Sequence, residues 1–216
     1  MTSESTSDAL PAPAVEAVLF DLGNVLVRWD PHGAFRGVAS RDDVERFFAD
    51  VDFPGLNHRA DAGLSWADVR SEVAASHPQH APLVDAYVAR FAATLAGPVP
   101  GSEDVVRELR ALGLRLFGLT NWSAETYPHG PRAAPAIGLL EDVLVSGREG
   151  LVKPDPAIFA RATDRFGLVP SRTVFVDDAP ANVEAAAALG FVALRFTGAD
   201  RLRDDLRALG IRLAAS

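Results

Sequence analysis

At three points in this 216-residue chain, polar residues able to do chemistry follow directly on a short apolar run. Asp21 follows Val18-Leu19-Phe20, Thr120-Asn121 follows the run from Leu114 to Leu119, and Asp177-Asp178 follows Thr173 to Val176. Lys153, within Leu151-Val152-Lys153-Pro154-Asp155-Pro156, lies just past a further run, Val143-Leu144-Val145. In an open parallel sheet ligands bind at the carboxyl ends of the strands. If the runs are strands, then, several carboxylates, a lysine, a hydroxyl and an amide share one crevice. Paired carboxylates at about 4 Å repel by about 1 kcal/mol in water and several-fold more near a protein interior. A cation among them relieves that repulsion, and hard oxygen donors with room for water are the ligands Mg²⁺ prefers.

The elements that would hold these residues follow from patterning. Short runs apolar on both faces suit buried parallel strands, and Phe191–Leu194 makes a fifth. Helical stretches lie between them: Ser102 to Leu112, opened by a Ser cap and stopped at Gly113; Pro156 to Phe166, stopped at Gly167; Ala181 to Leu189, stopped at Gly190; and Asp200 to Leu209, stopped at Gly210. Strand–helix alternation predicts an α/β fold, a Rossmann-like doubly wound parallel sheet. Residues 31–98 break the rhythm. They contain no clear strand, and their apolar residues fall at helical spacing (Phe35, Val38; Val44, Phe47, Phe48; Trp66, Val69, Val73; Leu83, Tyr87, Phe91, Leu95). The expected organisation is a disordered tail over 1–14, a core from 15–30 and 99–216, and an inserted all-helical cap over 31–98. Pro128, Gly130, Pro131 and Pro135 predict a loop between Tyr127 and Pro135, and Gly147 reads as an ordinary turn glycine.

Composition narrows the function classes. There is no cysteine, which excludes disulfides, thiolate metal sites and a Cys nucleophile. The formal charge is −8 with no basic patch, so a nucleic-acid partner is not expected. The arginines at 201, 203, 207 and 212 interleave with Asp200, Asp204 and Asp205, as on a solvated helix face. No apolar run approaches the roughly 18 residues of a membrane span, and the start of the chain lacks the basic and apolar segments of a signal peptide. The expected address is cytoplasmic and the expected partner a small phosphorylated metabolite.

Together the motifs resemble the haloacid-dehalogenase (HAD) superfamily. Phe20-Asp21-Leu22-Gly23-Asn24-Val25 is similar to its first motif, Leu119-Thr120-Asn121 to its second, Lys153-Pro154 to its third and Val176-Asp177-Asp178 to its fourth. The insertion falls at the family's usual cap position, and the phosphatase branch, sugar-phosphatase-like members included, is the nearest in pattern. The resemblance implies hydrolysis of a small phosphate monoester, sugar phosphates among the candidates. Asp21 would be the nucleophile that becomes an aspartyl-phosphate. Mg²⁺ would be held by Asp21, the Gly23 carbonyl and Asp178. Asp177 would act from behind, Lys153 would balance charge, and Thr120 with the Asn121 backbone N–H would bind phosphoryl oxygens.

One position departs from the pattern. Phosphatases of this superfamily usually carry a second Asp two residues after the nucleophile as general acid; Gly23 stands there, as in some sugar-phosphatase-like members that begin with the same Asp-Leu-Gly-Asn string. Losing a placed general acid costs about 10²–10⁴-fold in rate. A good leaving group, a substitute donor (Asp30, His32 or His58), or a binding role with weak or no catalysis would each account for it. The metal-free dehalogenase branch also lacks this acid, but the Asp177-Asp178 pair has no use there. Arg28, Trp29, His58, Arg59 and Trp122 are the candidates for the substrate-selecting wall, with Trp66 and Phe91 packing the cap. Asn182 is read either as a helix-surface residue or as a partner of the acids.

Overall fold

The computed structural model describes residues 15–214, and the expected disordered tail over 1–14 lies outside them. In chain order the strands are β1 (Ala17–Phe20), β2 (Val27–Trp29), β3 (Leu95–Pro98), β4 (Arg115–Thr120), β5 (Asp142–Val145), β6 (Thr173–Asp177) and β7 (Val192–Arg195). The α-helices are α1 (Arg41–Asp50), α2 (Phe53–Asp61), α3 (Trp66–Ser76), α4 (Ala81–Ala89), α5 (Ser102–Ala111), α6 (Gly130–Ala133), α7 (Ser146–Glu149), α8 (Pro156–Phe166), α9 (Pro180–Ala188) and α10 (Ala199–Ala208).

Five strands form one parallel sheet in the order β5-β4-β1-β6-β7. This is a Rossmann-like α/β fold, with β1 at the centre and the chain running outward to each side. All four residues of β1 are buried, as a strand covered on both faces requires. Alternate side chains serve opposite layers. Val18, Phe20, Leu116, Val174 and Val176 pack with Val105 and Leu109 of α5 and Leu206 of α10. Leu19, Phe117 and Phe175 pack with Ile158, Phe159 and Phe166 of α8. Register puts Phe20 level with Gly118 and Val176, so Asp21, Thr120 and Asp177 come out at one edge.

Helices α1 to α4 form the inserted cap. Tyr87, fully buried, is its hub, with Phe53, Trp66 and Phe91 at centroid distances of 4.9, 5.0 and 5.6 Å. The segment expected to lack strands ends in one. β3 pairs antiparallel with β2, closing a two-stranded ribbon at the root of the cap. Its four residues include Gly97 and Pro98, which give no period-2 pattern, so pairing across the insertion rather than local preference makes this strand.

Other local expectations are corrected. The Tyr127–Pro135 segment is not an open loop: 3₁₀ turns at Tyr127–His129 and Pro135–Leu139 flank α6. Each prolyl lies in a first turn, where its missing N–H costs nothing. Ser102 does not cap α5; Gly101 holds the cap position in left-handed conformation, and the buried Ser102 hydroxyl has no partner. Arg203 is buried against Glu108 at 2.5 Å rather than solvated. Among the described residues, no helix is long and apolar enough to cross a membrane.

Candidate active site

The strand ends deliver Asp21, Asp177 and Asp178 with a carboxylate oxygen of each within 4.8 Å of the others. Buried Lys153 sits between two of them, its Nζ donating to Asp21 Oδ1 at 2.8 Å and to Asp177 Oδ2 at 2.6 Å. The lysine is fixed through its own main chain. Asn121 Nδ2 donates to the Lys153 carbonyl at 2.9 Å, and Lys153 N donates to Asn121 Oδ1 at 2.8 Å. Two amide groups thus pin the loop after β5 to the end of β4.

Three carboxylates against one ammonium leave an excess of negative charge in a buried place, and the titration behaviour reflects it. Burial pushes Asp21 up from 3.8 to about 7, against the pull of Lys153, and Asp177 and Asp178 add to the rise. Asp178 is raised by burial and then by Asp177. Burial pulls Lys153 down, yet Asp21 and Asp177 together overcome it, so its net shift is upward and it stays cationic.

The donor set fits a divalent cation of Mg²⁺ type. Asp177 is already saturated: its oxygens accept from Lys153, from Ala179 N at 2.8 Å and twice from Asn182 Nδ2, at 3.1 and 3.0 Å. Asp21, Gly23 and Asp178 line the cavity instead. Asn182 belongs with the acids, not with the helix surface. Asn24 shapes the turn around Gly23. It adopts a left-handed conformation (φ 55°), its N–H donates to Val27 O at 2.7 Å, and its Oδ1 accepts from Trp29 N at 3.2 Å.

The cavity has a volume of about 170 Å³. Asp21, Gly23, Thr120, Asn121, Lys153 and Asp178 form its core side. The Thr120 hydroxyl makes no hydrogen bond to another described residue and faces this space. The rest of the lining is Trp29 and Trp122 from the core and Asn57, Asp61, Tyr87 and Phe91 from the cap. Of the residues expected to select substrate, Trp29 and Trp122 are there; Arg28, His58 and Arg59 are not. Arg28 donates to the Ala96 carbonyl, and Arg59 pairs with Glu72 at 2.6 Å on the cap's outer side. The candidate donors Asp30 and His32 bond to each other at 3.2 Å in a separate depression. Trp66 packs the cap as expected, whereas Phe91 both packs the cap and reaches the cavity.

Cap and core meet at close quarters. Ser146 Oγ donates to the Asp61 carbonyl at 2.5 Å and accepts from Trp122 N at 2.9 Å. Gly147 is no ordinary turn glycine: a Cβ there would lie 2.6 Å from Ala124 N and 2.9 Å from Trp122 O, so only glycine lets these segments approach.

Residues 15–190 match the model of the haloacid dehalogenase-like hydrolases, and the chain belongs to that family of hydrolases. Flavin mononucleotide hydrolase 1 of Arabidopsis thaliana is 38% identical over 65 residues, 30% of this chain and 26% of that one. The sesquiterpene phosphatase astK of Aspergillus oryzae is 25% identical over 204 residues, 90% of this chain and 96% of that one. Some relatives are far longer: the chain spans 10% of the mouse acyl-CoA dehydrogenase family member 10. The fold is shared with a HAD family enzyme of Bacteroides thetaiotaomicron in complex with magnesium and inorganic phosphate, at TM-score 0.67 and 20% identity over 86% of this chain and 96% of that one.

Proposed function

We propose that the protein is a Mg²⁺-dependent phosphatase acting on small phosphate monoesters through an aspartyl-phosphate on Asp21. The observation that carries this reading is the convergence of three carboxylates, two of them paired to one buried lysine, a charge balance that a divalent cation completes. Asp21, the Gly23 carbonyl and Asp178 would hold Mg²⁺, which when bound would neutralise phosphoryl charge and keep Asp21 ionised. Asp21 attacks phosphorus, splitting one displacement into two. Lys153 offsets charge on the attacking carboxylate and the transferring group, while the Thr120 hydroxyl and the Asn121 backbone N–H donate to phosphoryl oxygens. Asn121 has a second duty through its side chain, holding the Lys153 loop.

The cap wall supports a substrate whose organic part is uncharged and partly apolar, rather than a nucleotide or a highly hydroxylated sugar. Among the described residues, four aromatic side chains (Trp29, Tyr87, Phe91 and Trp122) line the cavity and no arginine does. The phosphatase relative that spans nearly the whole chain is a sesquiterpene phosphatase, which is consistent with such a substrate.

The test is phosphate release from p-nitrophenyl phosphate and from a panel of aryl and alkyl phosphates, with Mg²⁺ and with chelator. Metal-dependent release is expected. A protein inert on the whole panel that nevertheless binds phosphate esters would be a sensor. Gly23 favours a second reading, metal-free dehalogenation, and halide release from 2-chloropropionate in chelator would support that instead.

A further inference from the structure

Asp61 has no place in the chemistry above, and its setting is unusual. It is the last residue of α2, where the helix dipole disfavours a negative charge. It is 9% exposed, and what remains open faces the same cavity as Asp21, Gly23 and Lys153. Its carboxyl is held from behind by Asn57, whose Nδ2 donates to Asp61 Oδ2 at 2.9 Å, and Asn57 in turn accepts from the Tyr87 hydroxyl at 3.3 Å. Its main chain is tied to the core by Ser146. Among the described residues, no lysine or arginine pairs with it.

We infer that Asp61, delivered by the cap, is the acid–base residue that stands in for the carboxyl missing at Gly23. The inference rests on the phosphatase reading and adds to it. Asp61 lines the same cavity as Asp21 and is close enough to feel its charge, so a leaving group displaced by Asp21 departs into the space that Asp61 borders. In the first step an oxygen of Asp21 bonds to phosphorus and the P–O bond to the leaving group breaks. The electron pair goes to the departing oxygen, which takes the proton from Asp61. In the second step the Asp61 carboxylate takes a proton from water as the water oxygen bonds to phosphorus. The bond to Asp21 breaks, phosphate leaves, and both carboxyls return to their starting states.

Protonation is consistent with these duties. Burial, and to a lesser degree the charge of Asp21, raises Asp61 from 3.8 to about 7, against the main chain of Ser123. The titratable groups around it are Asp21 from the end of β1 and Tyr87 from α4, with Lys153 and Asp178 lining the same cavity. A group half-protonated near neutrality can both give and take a proton.

The experiment measures leaving-group release in single turnovers with Mg²⁺ over phosphate esters of graded leaving-group basicity, for wild type and Asp61→Asn. The asparagine keeps the shape and can still accept from Asn57, and a thermal melt checks that the variant is folded. Loss of a general acid is expected to slow alkyl phosphates by about 10²–10⁴-fold and to leave p-nitrophenyl phosphate within about tenfold, so the dependence on leaving-group basicity steepens. A Cβ at Gly23 meets nothing within 4 Å, so Gly23→Asp can be added to Asp61→Asn. Recovery of alkyl-phosphate turnover in that double variant is the second expected result. Equal slowing of every ester, or none, overturns the inference while the phosphatase reading stands. A wild type inert on all of them overturns both.

Discussion

The two walls of the cavity are built differently. The core wall is charged, and its groups are tied to one another: Lys153 to Asp21 and Asp177, Asn182 to Asp177, Asn121 to the Lys153 backbone, with the Thr120 hydroxyl left open to the cavity. Its geometry is set by strand ends in a sheet whose two strands β1 and β6 are buried along their whole length. The cap wall presents Tyr87 and Phe91 with Asn57 and a single carboxyl, Asp61, and reaches the core through contacts such as Ser146 with Asp61 and Glu125 with the Trp66 N–H. The first wall is suited to hold charge in place through the reaction.

The largest effect expected from breaking this division is on the core side. Asp21→Asn should reduce phosphate release to background, read by phosphate assay at saturating Mg²⁺. Next is Lys153→Met. It leaves Asp21 and Asp177 facing each other without their counter-charge, and breaking a buried pair costs about 3–5 kcal/mol. Chemical denaturation should show that loss, with part of it recovered on adding Mg²⁺.

On the cap side the sign reverses. The folded protein keeps the Asp61 proton up to about pH 7, whereas the unfolded chain releases it near 3.8. Between those values the folded state binds the extra proton, so this residue lowers stability as pH rises through the window, and the loss persists above it. Asp61→Asn should therefore stabilise the metal-free protein at about pH 8, by up to on the order of 4 kcal/mol, and have little effect below about pH 4. Equal effects at both pH values would mean that Asp61 is not held protonated. Smaller again is Asn182→Ala, which removes the donor to both Asp177 oxygens at about 1.5–3 kcal/mol and lowers turnover by loosening Lys153.

The same contrast governs what could be read from the sequence. Core residues follow apolar runs directly, so Asp21, Thr120, Asn121 and Asp177-Asp178 announce themselves through position. Lys153 stands out among apolar neighbours and a proline. The cap wall carries no such signal. Tyr87 and Phe91 fall at the helical spacing that packs any helix pair. Asp61, in His58-Arg59-Ala60-Asp61-Ala62-Gly63, looks like a solvated helix end, because its burial comes from segments distant in sequence. One clue was present: an acid sits in the last turn of a helix stopped by glycine, where a basic residue is favoured. The β2–β3 ribbon was hidden for a similar reason, since it joins segments on either side of the insertion.

The most direct test of the account is covalent. Protein mixed with Mg²⁺ and p-nitrophenyl phosphate, quenched in acid within a single turnover and digested, should carry one phosphoryl group on the peptide containing Asp21. The label should be lost on hydroxylamine treatment, as an acyl phosphate requires, and absent from Asp21→Asn. Turnover of the ester with that peptide unmodified at every time point, or with the label on another residue, would contradict it.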